Sequence, residues 1–153
     1  MAALFRQAEE DHLQSHREMQ SWVEHRKSDA KGHQILDCMW VYLYKFDKRG
    51  KFKKCKARLV VRGDQQAIGT DETYAATLAG RSFRALIAIA NRFDLELKQY
   101  DAVNAFVNAP LDEVVYMRLP PGRRRSDKVL LLKKALYGLR KSPLLWQRHL
   151  TKS

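Results

Sequence analysis

Cysteine is scarce: Cys38 and Cys55 are the only two in 153 residues. Two thiols make neither a disulfide framework nor, alone, a four-ligand zinc site, so they read as reduced thiols of an intracellular protein. Glycine (7) and proline (4) are sparse too. No G-x-G-x-x-G or G-x-x-x-x-G-K loop occurs, which excludes the usual glycine-loop nucleotide sites. His12, His16, His25, His33 and His149 show no metal-ligand spacing, and no Ser or Cys nucleophile signature is present. The longest apolar runs, such as Ala85 to Ala90, are too short to cross a bilayer, so no membrane is expected. The opening MAALFRQAEEDH carries acids from Glu9 and reads as neither a secretory signal nor a transit peptide.

Acidic residues are also few, 17 against 29 Lys and Arg, which leaves a net charge of +12. A hydrophobic share of 45% excludes a wholly disordered chain and suits one ordinary domain. The first partner such a surface suggests is a polyanion. The excess charge is local. Residues 45–63 (KFDKRGKFKKCKARLVVRG) hold nine Lys or Arg and one Asp; residues 123–141 (RRRSDKVLLLKKALYGLRK) hold eight and one. The rest of the chain is net acidic. One charge run is ordinarily a solvated face. Two runs on apolar-patterned elements suit a phosphate-binding surface equally well.

Along the chain, Leu4, Phe5, Ala8, His12, Met19, Trp22 and Val23 lie on a 3.6-residue stripe, which predicts one helix over 3–26. The polar connector RKSDAKGHQ (26–34) marks the one internal boundary, between a helical lead-in (1–34) and the remainder (35–153). Residues 35–46 are aromatic and β-branched, a strand signature. Asp47-Lys48-Arg49-Gly50 is a turn, and 51–62 the return strand. Period two sets Lys54, Lys56, Arg58 and Arg62 on one face of this hairpin, and Cys55, Ala57, Leu59 and Val61 on the other. Residues 64–80, with Gly69 and Gly80, read as loop. A helix follows over about 81–93, with Phe83, Leu86, Ile87 and Ala90 on one face. LELKQYD (95–101) alternates as a half-buried strand would. A helical turn over 103–108, strands over 114–119 and 129–132, and a last helix with Ser142 as cap and Pro143 in its first turn complete the reading.

One acid stands out. Asp101 closes the alternating segment and precedes Ala102-Val103-Asn104-Ala105-Phe106. A carboxylate at a strand end beside small residues can hold a divalent cation. Asp is equally at home as a helix N-cap, and on spacing alone the cap comes first.

Four segments then occur in a specific order: KCKARLVVRGDQQ (54–66), TDETYAATLAGRSFRALIAIAN (70–91), LELKQYDAVNAFVNAPLDEVVYMRLPPG (95–122) and LLLKKALYGLRKSPLLWQRHL (130–150). Together, from about Ile35 to Leu150, they closely resemble the reverse transcriptase of copia-type (Ty1/copia) LTR retrotransposons. The resemblance implies an α+β right-hand polymerase fold, fingers plus part of a palm, with a β-hairpin and an N-terminal helix. It implies a fragment of an RNA-directed DNA polymerase of a retrotransposon Pol polyprotein, with RNA or DNA template-primer and dNTP as partners. A further partner is the remainder of the polymerase domain.

By the same resemblance, Asp101 in YDAVNAF matches the first catalytic carboxylate motif. It would bind two Mg2+ ions, with the Ala102 carbonyl as a further ligand. Phe106 matches the aromatic gate against a ribose 2′-hydroxyl, against the plain alternative of core packing. Lys56 and Arg58 match the hairpin that closes on the incoming triphosphate, while Arg62 offers an alternative contact to template. Gly138, Arg140, Ser142 and Pro143 in YGLRKSPLLW match a turn and helix that line the nucleotide and template site.

Departures from the pattern also carry expectations. The family's Tyr/Phe-x-Asp-Asp hairpin does not occur, and no Asp-Asp pair exists in these 153 residues. Asp112 and Glu113 read as a surface turn. Ala109 stands where the family commonly has glycine, and Arg123 where an aromatic is common. The chain on its own is therefore expected to be catalytically inactive. Two rivals follow: a non-catalytic nucleic-acid-binding remnant, and a relic whose exposed apolar surface makes it aggregate. The resemblance places an active element in cytoplasmic particles or the nucleus.

Overall fold

Period-two alternation builds the longest strands of the molecule. The computed structural model describes residues 1–67 and 72–152, so Gly69 lies outside them. Strands β3 (Cys38–Phe46) and β4 (Phe52–Val61) form an antiparallel hairpin, closed by a turn in which Gly50 takes φ 74°. Asp47 organises that turn: its Oδ1 accepts from the backbone N–H groups of Arg49 and Lys51. Along β4 the odd positions from Cys55 to Val61 are buried and the even ones between them half-buried on the opposite face, as the alternation predicts.

Helix α1 (Ala2–Glu18) covers the apolar face of this hairpin. Phe5 meets Tyr42 edge-on and Tyr44 at a tilt, and His12 meets Trp40 edge-on. The helix stops well short of the expected residue 26. Gln20 adopts φ 51°, and Trp22–Arg26 form strand β1. The Ser21 carbonyl accepts from Lys133 and Lys134 N–H, so the stripe continues through Trp22 by sheet packing rather than by helix.

A second, four-stranded sheet has the order β1-β6-β5-β2, with β2 Ile35–Leu36, β5 Tyr116–Met117 and β6 Lys128–Leu132. β6 is antiparallel to both neighbours; β2 and β5 are parallel. Leu13 of α1, Leu36, Leu59, Val61, Met117 and Leu136 meet in one core joining helix, hairpin and sheet. A 3-10 turn spans Lys27–Ala30, within the expected connector.

Helix α2 (Gly80–Arg92) and α3 (Ser142–Leu150) form where the periodicity places them. Ser142 is not the α3 cap. That position belongs to Lys141, and the buried Ser142 hydroxyl donates to the Leu136 carbonyl at 2.5 Å. Residues 95–101 are not a strand: they lie exposed at the surface, outside both sheets. Alternation makes a segment competent to pair, but a β-strand needs a neighbour for its N–H and C=O groups, and no strand pairs with it among the described residues. Among the described residues no helix is long and apolar enough to cross a membrane.

Candidate nucleotide and nucleic-acid interface

The outer face of the hairpin is cationic by register. Lys45 lies opposite Lys54, Leu43 opposite Lys56, and Val41 opposite Arg58. Like charges directly across a sheet repel, so this face favours an anion. The same repulsion acts on Lys56. Partial burial, then Arg58, Lys45 and Lys54, hold its ammonium below the usual lysine range, and the Asp101 carboxylate pulls the other way. Asp101 and Lys56, 45 positions apart in sequence, are thus electrostatic neighbours.

Arg58 reaches further. Its guanidinium carbon sits 4.3 Å from the centroid of the Tyr137 ring, a cation–π contact. The Phe106 ring packs on the same tyrosine at 4.6 Å. Tyr137 therefore joins the hairpin, the segment after Asp101 and the turn at Gly138. Sequence reasoning passed over it; the aromatic immediately before a turn glycine was the available signal.

Gly138 is fixed by close approach. It takes φ 97°, and a Cβ there would overlap the Val61 carbonyl. Gly63 is pressed against Gly138 in turn, its missing Cβ leaving room for the Gly138 carbonyl. The Val61 N–H donates to the Tyr137 carbonyl at 2.8 Å, and the Arg140 N–H to Gln66 Oε1 at 3.0 Å. The 137–140 turn is thus bolted to the end of β4. The Arg140 side chain lies at the surface. Arg62 is engaged by Asp64 at 2.6 Å, an exposed pair that raises the arginine and lowers the carboxyl.

Asp101 and Ala102 are exposed. Asp101 caps no helix. The short 3-10 turn Ala105–Asn108 has Asn104 at its cap position, in left-handed backbone (φ 49°). The Asn104 amide donates to Ser15 Oγ of α1 at 2.8 Å, and Asn108 Nδ2 binds carbonyls of residues 103–105. The segment is therefore anchored from Asn104 onward. Phe106 is half-buried beside Ala109, Ala135 and Leu145, so core packing and presentation of its ring to Tyr137 coexist.

These residues do not complete a divalent-cation site. No group of three or more His, Cys, Asp or Glu comes together among the described residues. Asp101 and the Ala102 carbonyl would offer a small part of the near-octahedral shell Mg2+ demands, beside a lysine that competes for the same carboxylate.

Beneath the hairpin lies an imidazole pair, His16 buried and His12 half-buried. His12 Nε2 and His16 Nε2 are 3.1 Å apart, and His16 Nδ1 is 2.8 Å from Ser21 Oγ. Burial, then Arg58 and Lys56, lower the His12 pKa to about 4. Burial, then His12, lower that of His16 to about 3. Both rings are neutral at pH 7, and the pair holds one N–H between the two Nε2 atoms.

Comparison with known proteins gives a consistent picture. The family profile "Reverse transcriptase (RNA-dependent DNA polymerase)" matches residues 23–153. The chain is 37% identical over 117 residues to the Retrovirus-related Pol polyprotein from transposon RE2 of Arabidopsis thaliana, covering 73% of this chain and 8% of that protein. It is 38% identical over 121 residues to the corresponding polyprotein from transposon TNT 1-94 of Nicotiana tabacum, covering 76% and 9%. The chain thus spans less than a tenth of the length of these relatives. No solved structure matches significantly.

Proposed function

Because the chain belongs to the reverse transcriptase (RNA-dependent DNA polymerase) family, we propose that it forms the nucleotide- and template-facing part of an RNA-directed DNA polymerase within a retrotransposon Pol polyprotein. The convergence of Arg58 and Phe106 on Tyr137 supports this most directly. Three segments far apart in sequence meet there, beside a cationic face and one exposed carboxylate. In this reading Lys56 and Arg58 bind the triphosphate of an incoming dNTP. Phe106, seated on Tyr137, screens its sugar. Gly138 and Arg140 border the template side. Residues 1–34 act as the helical lead-in to a fingers-and-partial-palm body over 35–153.

Asp101 is one carboxylate of the metal site. Because the residues present fall short of a magnesium shell, further carboxylates must come from elsewhere in the polyprotein. These 153 residues, with no Asp-Asp pair, do not catalyse nucleotidyl transfer alone. What they do alone is hold nucleic acid through phosphates. That no group of three or more His, Cys, Asp or Glu comes together among the described residues supports a second reading, a non-catalytic nucleic-acid-binding chain.

Fluorescence anisotropy with a labelled RNA–DNA template-primer separates them. In the first reading a matched dNTP tightens binding, and Lys56→Gln/Arg58→Gln removes that effect. If the dNTP changes nothing while the parent binds, the second reading holds. If the double variant binds as the parent does, the hairpin face is not the interface.

A further inference from the structure

A second cationic feature lies at one end of the four-stranded sheet, outside the hairpin. A cavity of about 320 Å3 opens there, lined by Lys27, Arg118, Arg124, Arg125, Lys128 and Ser126, with no acidic residue in its wall. Its floor is apolar: Ile35, Leu119 and Val129. It shares Lys27, Ile35 and Ser126 with a broader depression of about 640 Å3 that continues past Arg26 and Lys31 and has one acid, Asp127, in its wall. The two form one trough. None of its lining residues belongs to the cationic face of the hairpin.

Its charge is only partly compensated. Asp37 serves two arginines, Arg124 at 2.9 Å and Arg118 at 3.5 Å. Glu24 likewise serves Lys128 at 3.4 Å and Arg125 at 3.7 Å. Two carboxylates therefore answer four cations. The Lys27 ammonium has no carboxylate partner among the described residues, while its backbone N–H is fixed to the Asp127 carbonyl at 2.8 Å. The surplus positive charge faces the trough.

We propose that this trough is a second binding track for a nucleic-acid strand, separate from the hairpin face. The shape suits a strand: an open, positively charged groove tracks the successive phosphates of a nucleic-acid backbone. The apolar floor suits sugar and base edges between phosphates. The proposal rests on the nucleic-acid reading given above, and identifies where a strand runs beyond the nucleotide site.

The test measures binding of a labelled single-stranded oligonucleotide by the full 153-residue chain across a salt series. Each phosphate neutralised on a single strand contributes about 0.7 to the slope of log K against log salt. Lys27→Gln/Arg125→Gln is expected to lower that slope by roughly 1.4 and to weaken binding on the order of tenfold at low salt. Lys45→Gln/Lys54→Gln, on the hairpin, lowers it independently, and the two losses multiply. The charge-preserving Lys27→Arg/Arg125→Lys keeps the parent slope, which separates lost charge from lost fold. A trough variant that binds as the parent, while the hairpin variant is weakened, overturns the trough and leaves the hairpin reading intact. If neither variant alters binding, both readings fall.

Discussion

The guanidinium of Arg58 stacks over the ring of Tyr137, 4.3 Å from its centroid, and ties the second strand of the basic hairpin to the turn at Gly138. The contact gives the arginine a fixed direction without neutralising it. No carboxylate among the described residues pairs with Arg58, so its charge stays available to a phosphate.

Replacing Tyr137 should therefore be felt in two places. Tyr137→Leu removes the cation–π contact and the ring contact to Phe106, together worth about 1–2 kcal/mol. Tyr137→Phe keeps both. Urea unfolding should show the leucine variant destabilised by that amount and the phenylalanine variant close to the parent. Equal losses in both would mean that the hydroxyl, not the ring, matters.

Two glycines with positive φ should respond differently to alanine. Gly50 (φ 74°) faces open space, so Gly50→Ala is limited to the backbone strain, about 1 kcal/mol. Gly138 (φ 97°) has the Val61 carbonyl where a Cβ would go. Gly138→Ala must move the turn off β4, and should cost more than roughly 3 kcal/mol. Thermal melts of the two variants check the ordering.

Stability should fall as the solution is acidified from pH 7. His12 and His16 have folded pKa values of about 4 and about 3, below the ordinary 6.5. Between pH 6.5 and about 4 the unfolded chain binds protons that the folded chain refuses, so acidification favours unfolding there. Above 6.5 neither state is charged and the stabilisation is fully present. At pH 5 His16 alone accounts for a loss of about 2 kcal/mol relative to pH 7. Denaturant melts at both pH values should show it, and His16→Gln should flatten the dependence.

Apolar surface on and after α2 should drive self-association. Phe83, Leu86 and Ile89 are each about half exposed, as are Leu95 and Leu97 downstream. Contiguous apolar surface of this kind promotes aggregation. Light scattering of the chain should rise with concentration at moderate salt, and Leu86→Glu/Ile89→Glu should suppress the rise. A parent that stays monomeric at high concentration would show that this surface is not adhesive.

Much of this was legible in residue order because local rules and tertiary packing agree. The β3–β4 hairpin is the clearest case: alternation fixes which of Cys55 to Val61 are buried, and Asp47 to Gly50 fixes the turn. Where the two disagree, the reading failed. The helical stripe runs through Trp22 and Val23, yet a left-handed Gln20 ends the helix because β1 gains a partner in β6. Residues 95–101 alternate yet pair with nothing, since periodicity reports capacity and not the presence of a neighbour. Ser142 has cap chemistry but spends its hydroxyl on the Leu136 carbonyl. Asp101 looked like a cap, and Asn104 takes that place. The role of Tyr137 required the contact itself: nothing in the spacing of Arg58, Phe106 and Tyr137 says that they converge.

The decisive measurement is primer extension with Mg2+, a template-primer and dNTPs, in two proteins. One is this chain; the other is this chain continued by the following segment of the tobacco relative, to which it is 38% identical over 121 residues. The account predicts no extension by the chain alone, extension by the continued protein, and loss of that extension by at least a thousandfold, about 4 kcal/mol, in Asp101→Asn. Extension that survives Asp101→Asn would contradict it.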